Sequence, residues 1–273
     1  MIAVTGASGY VGGRTARLLA ERGAPLRLVV RDPSRAPDLG AEVRAASSYG
    51  AADEMRAAFE GADTVFLVPA EESPDRVEQH RTAVEAAVAA GVQRILYLSF
   101  VAATPDSTFT LGRDHWATEE IVRGSGLRFT FPRMNLYLDF VPRMVSDDGV
   151  IAGPAGDGRL AAVARDDIAA VTAELLTSEG HDGRSYDISG GQALTFGEIA
   201  AEMSRLTGRE VTYKNETMEE ARASRAAYGA PDWMVEAWIS TYTAVARGEL
   251  DRVTDTVARF TGREPLTLAD VVR

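Results

Sequence analysis

The segment Val4-Thr5-Gly6-Ala7-Ser8-Gly9-Tyr10-Val11-Gly12 follows a short apolar run that begins at Ile2 and leads directly into a helical stretch, Tyr10–Arg22. Strand, glycine turn and helix in that order open a βαβ unit. In such a unit Gly6 permits the tight turn, Gly9 lets the backbone approach a pyrophosphate, and Gly12 allows close packing of helix on strand. The helix N-terminus adds free N–H groups and the positive end of its dipole. Taken alone, Gly-x-x-Gly-x-x-Gly is also an ordinary turn; the flanking strand, helix and second strand decide for a dinucleotide. Ser8, Tyr10 and Val11 in the same turn, with Val68 and Pro69 at the end of a later strand, complete the candidate contacts around it.

Working outward, short β-rich runs alternate with alanine-rich helical stretches. Strands are expected at Ile2–Thr5, Leu26–Arg31, Glu42–Ala45, Thr64–Pro69, Arg94–Ser99 and Arg128–Arg133. Between them helices are expected near Tyr10–Arg22, Ala52–Phe59, Pro74–Ala90 and Leu111–Arg123, with Gly23, Gly61, Gly91 and Gly126 at their ends. This is the pattern of an α/β fold, a doubly wound parallel sheet of Rossmann type. A Gly/Pro-rich turn at Ala152–Gly158 marks a change, and from Thr195 onward the chain reads almost entirely as helices. The expected division is a dinucleotide-binding domain over 1–147, to which 160–190 returns, and a smaller, mostly helical lobe over 148–273. Such a lobe is suited to closing over a substrate beyond the carboxyl ends of the strands.

The second strand ends Leu28-Val29-Val30-Arg31-Asp32-Pro33. At this distance from the glycines an acid reads the adenosine ribose of NAD, whereas an arginine accommodates the 2′-phosphate of NADP. Arg31 takes the position and selects NADP(H). Asp32 competes as an NAD-type acid, but it precedes a proline and is read as a turn or cap residue. Arg35 is either a second guanidinium for the phosphate or a solvated surface residue.

Composition removes other classes of function. No cysteine occurs, so disulfides, thiolate metal sites and cysteine nucleophiles are excluded. His80, His115 and His181 are too widely spaced for a zinc pair, and no metal is expected. A formal charge of −11 argues against a nucleic-acid surface. No run approaches the roughly 18 apolar residues of a membrane span. A soluble, cytoplasmic protein is expected, with a small aromatic or quinone-like substrate as its partner and a homodimer as the assembly considered.

Thr5–Gly12, Val30–Pro33, Leu96-Tyr97-Leu98-Ser99, His115 through Gly126 and the Gly153–Gly158 turn together resemble the NmrA-like branch of the atypical short-chain dehydrogenase/reductases. Within that branch the chain is similar to the bacterial NADPH-dependent type 2 quinone oxidoreductases, over nearly its whole length. The resemblance implies hydride delivery from NADPH to a quinone-like acceptor. The same branch also holds redox-sensing regulators that bind the cofactor without turnover, and the fold equally supports a reductase or isomerase for one secondary metabolite.

The residues constrain the chemistry. The Tyr-x-x-x-Lys pair of most short-chain dehydrogenases is missing, since the only lysine is Lys214. Proton relay to a ketone-derived alkoxide is therefore disfavoured. Ser99 matches the position of the active-site serine in the resemblance, with a strand-end hydrogen bond as its other reading. His115 shares a helix face with Leu111 and Val122 and falls near the place of the missing lysine, either as a site residue or as a satisfied core histidine. Arg133-Met134-Asn135-Leu136-Tyr137 resembles the family's Arg-Pro-Asn segment with Met134 in place of proline. By that resemblance Asn135 contacts the nicotinamide side and Tyr137 is a substrate contact or proton donor. Phe100, Trp116, Phe140 and Trp233 are read either as an aromatic pocket or as core. A quinone asks mainly for alignment, because hydride addition gives a delocalised anion that water protonates.

Overall fold

The computed structural model describes residues 1–272. The chain runs β1 (Ile2–Thr5), α1 (Tyr10–Glu21), β2 (Leu26–Val30), β3 (Glu42–Ala45), α2 (Ala52–Phe59), β4 (Thr64–Leu67), α3 (Arg76–Ala89) and β5 (Arg94–Tyr97). It continues with β6 (Ser99–Phe100), α4 (Thr110–Gly124), β7 (Arg128–Met134), α5 (Val141–Met144), β8 (Val150–Gly153), β9 (Arg159–Leu160), α6 (Arg165–Thr177) and β10 (Arg184–Ile188). Last come β11 (Leu194–Thr195), α7 (Phe196–Thr207), β12 (Thr212–Asn215), α8 (Met218–Ala226), α9 (Asp232–Ala246), α10 (Thr256–Thr261) and α11 (Leu268–Val271). No helix among the described residues is long and apolar enough to cross a membrane.

The main sheet has the order β10-β7-β5-β4-β1-β2-β3, with β6 paired to β7. The pairs β1–β2, β2–β3, β1–β4, β4–β5 and β5–β7 are all parallel. Strand order reverses between β1 and β4, which makes their carboxyl ends the switch point where ligands bind in open α/β sheets. Helices cover both faces, so β2 and β5 are buried along their whole length rather than alternating, with Arg27 and Arg94 the charged residues among them. Ala3, Val29, Val65, Ile95, Tyr97 and Phe131 pack with Met55 and Phe59 of α2, Val84 of α3 and Val122 of α4. Their neighbours Val4, Leu28, Phe66 and Leu96 point to the opposite face by the strand's period of two. Helices α1 and α6 are joined by ion pairs of Arg14 with Asp166 and Arg22 with Glu174.

The chain forms two compact units. The first comprises Met1–Phe100, Asp114–Arg133 and Asp166–Tyr186; the second comprises Val101–Arg113, Met134–Arg165 and the chain from Asp187 onward. Helices dominate the second unit, but it also holds a parallel β8–β12 pair and an antiparallel β9–β11 pair. Neither β8 nor β12 stands out in the sequence, because four residues such as Thr212-Tyr-Lys-Asn215 give no apolar alternation. Helices α7 and α8 start with capping boxes, Thr195 with Glu198 and Thr217 with Glu220.

Candidate active site

In the first unit, Gly6 takes a positive φ of 59° as the chain leaves β1, and Gly9 N–H donates to the Gly6 carbonyl at 2.9 Å. A Cβ at Gly12 would lie 2.4 Å from the Gly6 carbonyl oxygen and 2.9 Å from that of Thr5. The absent side chain is what lets α1 sit against the turn. Gly9 precedes helix α1 at the capping position and supplies no side-chain cap, and the helix's first turn holds no acidic residue. Its leading N–H groups, on Tyr10, Val11 and Gly12, are the ones a helix leaves without intrahelical partners. Ser8 is exposed, and the Tyr10 hydroxyl donates to Asp166 at 3.1 Å.

The end of β4 is fixed against this turn. A Cβ on Gly6 would meet the Val68 side chain at 3.1 Å. Val68 N–H donates to Thr5 Oγ1 at 2.9 Å, and the Thr5 hydroxyl donates to the Phe66 carbonyl. The Tyr49 hydroxyl sits between Thr5 Oγ1 at 2.6 Å and the Val68 carbonyl at 2.8 Å, and burial pushes its pKa upward. Val68 and Pro69 are half-buried.

At the end of β2 the two candidates separate. Arg31 is exposed and faces Glu71 at 3.3 Å, with side chains 69% and 80% accessible. Asp32 caps a short 3-10 turn, accepting from Ser34 N–H at 3.0 Å and the Ser34 hydroxyl at 2.7 Å. Those bonds lower its pKa.

Ser99 and His115 lie deeper. Ser99 is fully buried and its hydroxyl donates to Glu119 at 2.6 Å. The same carboxylate accepts from Arg133 through both oxygens, at 2.8 and 2.6 Å, and from Arg123 at 2.7 Å. His115, 2% exposed, has Nδ1 2.9 Å from the Tyr97 hydroxyl and its ring stacked on Phe100. Burial, aided by the charge of Arg76, holds its pKa well below the ordinary value, so the imidazole is neutral. Both side chains are thus engaged with protein partners. Glu119 is masked in the sequence by its neighbour Glu120, which makes the pair look solvated; the signal is its place one turn beyond His115.

In the second unit, Asn135 is 1% exposed. Its Nδ2 donates to the Leu250 carbonyl at 3.1 Å and its Oδ1 accepts from Leu136 N–H at 2.8 Å. Tyr137 is half-buried, with its hydroxyl 3.0 Å from Met134 Sδ and its ring against Phe140 at 5.3 Å. Of the four aromatic candidates, Phe100 is core, Phe140 is 42% exposed, and Trp116 and Trp233 are half-buried. Among the described residues no cluster of acidic and histidine side chains is suited to a metal.

The pattern of the NmrA-like family matches residues 1–247. The chain belongs to that family. Across its full length this NmrA-like protein is 32% identical to the NAD(P)H azoreductase of Xenophilus azovorans, covering 97% of it. It is also 32% identical to quinone oxidoreductase 2 of Escherichia coli, again over 100% of this chain and 97% of the relative. The crystal structure of the NADPH-dependent quinone oxidoreductase of Escherichia coli complexed with NADPH superimposes with a TM-score of 0.91, covering 100% of this chain and 98% of that one.

Proposed function

We propose that this chain is an NADPH-dependent oxidoreductase that transfers hydride to a quinone-like acceptor. The carrying observation is the uncapped, acid-free first turn of α1, with Arg31 rather than a free acid at the end of β2. These residues fit a dinucleotide: Gly6 makes the tight turn, Gly9 leaves the backbone open to a pyrophosphate, Gly12 seats α1 against the turn, and the N–H groups of Tyr10 and Val11 offer the pyrophosphate donors. Ser8, Val68 and Pro69 line the same turn. The full-length similarity to a quinone oxidoreductase and an azoreductase supports the acceptor class.

When bound, the dinucleotide supplies the hydride; the chain's part is to hold and align. Ser99 and His115 enter this reading as positioning residues, because each is buried and already hydrogen-bonded. Asn135 ties the end of β7 to the Leu250 segment. Tyr137 is the proposed acceptor contact. Mixing the protein with NADPH and a simple naphthoquinone tests the reading: steady loss of NADPH absorbance supports it. A tightly held cofactor with no turnover across several quinones would favour a redox-sensing regulator.

Cofactor choice gives a sharper result. Arg31→Ala is expected to weaken NADPH binding about tenfold to thirtyfold, the lower part of the range for a charge-assisted contact because the site is exposed and screened. NADH binding should hardly change. Glu71→Gln, which frees Arg31 from its present partner, should tighten NADPH a few-fold. Equal losses for both dinucleotides by calorimetry in Arg31→Ala would remove Arg31 from the 2′-phosphate.

Because the reduced acceptor leaves as a stabilised anion, no single hydroxyl or imidazole should be indispensable. Ser99→Ala, His115→Ala and Tyr137→Phe should each slow hydride transfer by roughly tenfold to a hundredfold, below the 10² to 10⁴ typical of a true general acid or base. Single-turnover nicotinamide fluorescence with protein in excess isolates that step. A loss beyond about four orders of magnitude in Tyr137→Phe would establish an obligatory acid and a carbonyl or activated-alkene acceptor.

A further inference from the structure

Both backbone groups of one loop residue, Ala70, are held by buried side chains of α3. Its N–H donates to His80 Nε2 at 2.8 Å, and its carbonyl accepts from Arg76 Nε at 3.1 Å. His80 is 0% and Arg76 5% exposed. Since Ala70 N–H can only donate, Nε2 is the acceptor, and the neutral ring carries its proton on Nδ1. That proton faces Thr118 Oγ1 at 2.8 Å, whose own proton goes to the Asp114 carbonyl at 2.8 Å. Arg76 Nη1 lies 3.8 Å from Asp114 Oδ2.

Burying an imidazole and a guanidinium is costly, and packing α3 on the sheet needs neither. What the two side chains share is Ala70. This residue stands two beyond Val68, whose side chain abuts Gly6, and one before Glu71, which faces Arg31. The segment is therefore held at two points: Val68 by Thr5, and Ala70 by Arg76 and His80. A loop after β4 would otherwise be free to take several conformations, each ordered residue losing backbone entropy when a ligand arrives.

We propose that Arg76 and His80 are positioning residues for the dinucleotide, holding Val68–Glu71 in the conformation that receives it, with Thr118 fixing the tautomer of His80. This rests on the cofactor reading given above. Neither residue touches the reacting atoms, so loss of the clamp weakens cofactor binding and leaves the chemical step intact once the site is filled.

The test compares His80→Ala, His80→Gln and Thr118→Val with the wild-type protein, measuring NADPH Kd by calorimetry and KM against kcat with a naphthoquinone. His80→Ala should raise Kd and KM for NADPH at least tenfold while kcat at saturating NADPH stays within about threefold. His80→Gln keeps an acceptor for Ala70 N–H and should recover most of that loss. Thr118→Val preserves volume and should raise KM about threefold. If His80→Ala does not fold, the other two decide. Unchanged Kd in the folded variants, or a fall in melting temperature with kcat and KM moving together, would overturn the clamp and leave a purely structural role. Failure of the wild-type protein itself to bind NADPH would instead overturn the cofactor reading and the clamp with it.

Discussion

Gly12→Ala is expected to destabilise the protein by about 3 kcal/mol, the top of the usual range for one inserted methyl group in a core. The methyl group would lie 2.4 Å from the Gly6 carbonyl oxygen, 2.8 Å from its carbon and 2.9 Å from the Thr5 oxygen. Real Cβ contacts do not come this close, and every atom it meets is backbone, so no rotamer change relieves the clash. Helix α1 would have to move off the turn, taking with it buried Ala16 and Leu19. For a chain of this size that is a fall in melting temperature of roughly 6–12 °C. Gly9 separates binding from stability. A Cβ there meets only the Gly6 oxygen, at 3.2 Å, and the backbone is extended with φ −87°. Gly9→Val should therefore fold while losing detectable binding of either dinucleotide. A Gly12→Ala protein that melts within about 1 °C of wild type would show that the turn yields more easily than its geometry implies. A folded Gly9→Val protein with unchanged NADPH affinity would place the cofactor elsewhere.

The glycine turn was readable because its cause is local: sequence spacing and backbone sterics act within nine residues. Strands β1 and β3 and helix α2 match their expected bounds. The expected strand Arg94–Ser99 instead divides into β5, ending at Tyr97, and β6, Ser99–Phe100, which pairs with β7. Asp32 before Pro33 signalled a cap, and it caps. What the sequence hid depends on which polar groups meet across the fold. His80 sits four and seven residues from Val84 and Ala87 on the buried face of α3, and that spacing says it is inside. Only the tertiary structure shows that it faces Ala70 and Thr118. His115 lies on its expected helix and Asn135 just beyond its expected strand, whereas Ser99 opens β6 instead of ending β5; spacing cannot reveal that each is hydrogen-bonded within the protein.

The same buried imidazoles predict acid sensitivity well above the range where carboxylates titrate. Burial, reinforced by the positive charge of Arg76, lowers the pKa of His80 from 6.5 to about 3 and drives that of His115 in the same direction. In the unfolded chain both are ordinary histidines. Between pH 6.5 and the depressed folded value, the unfolded state binds protons that the folded state refuses, so stability is full above pH 6.5 and falls as pH drops. From pH 7 to pH 5 the loss from His80 is about 2 kcal/mol, and His115 adds to it in the same direction. That is a substantial part of the roughly 5–15 kcal/mol typical of a folded domain. Carboxylates whose pKa is lowered by hydrogen bonds, such as Asp32 and Glu198, start from 3.8 and 4.5 and begin to matter only below this window. Urea unfolding at pH 7, 6 and 5 should show the midpoint falling with an unchanged slope, and His80→Gln or His115→Gln should each flatten the pH dependence while lowering stability at pH 7. Imidazole resonances of the folded protein should not shift for either residue over that range. A loss smaller than about 1 kcal/mol, or a titrating resonance from His80, would mean that the ring accepts a proton in place. Ala70 N–H would then lose its acceptor, and NADPH affinity would have to fall with pH in step with that titration.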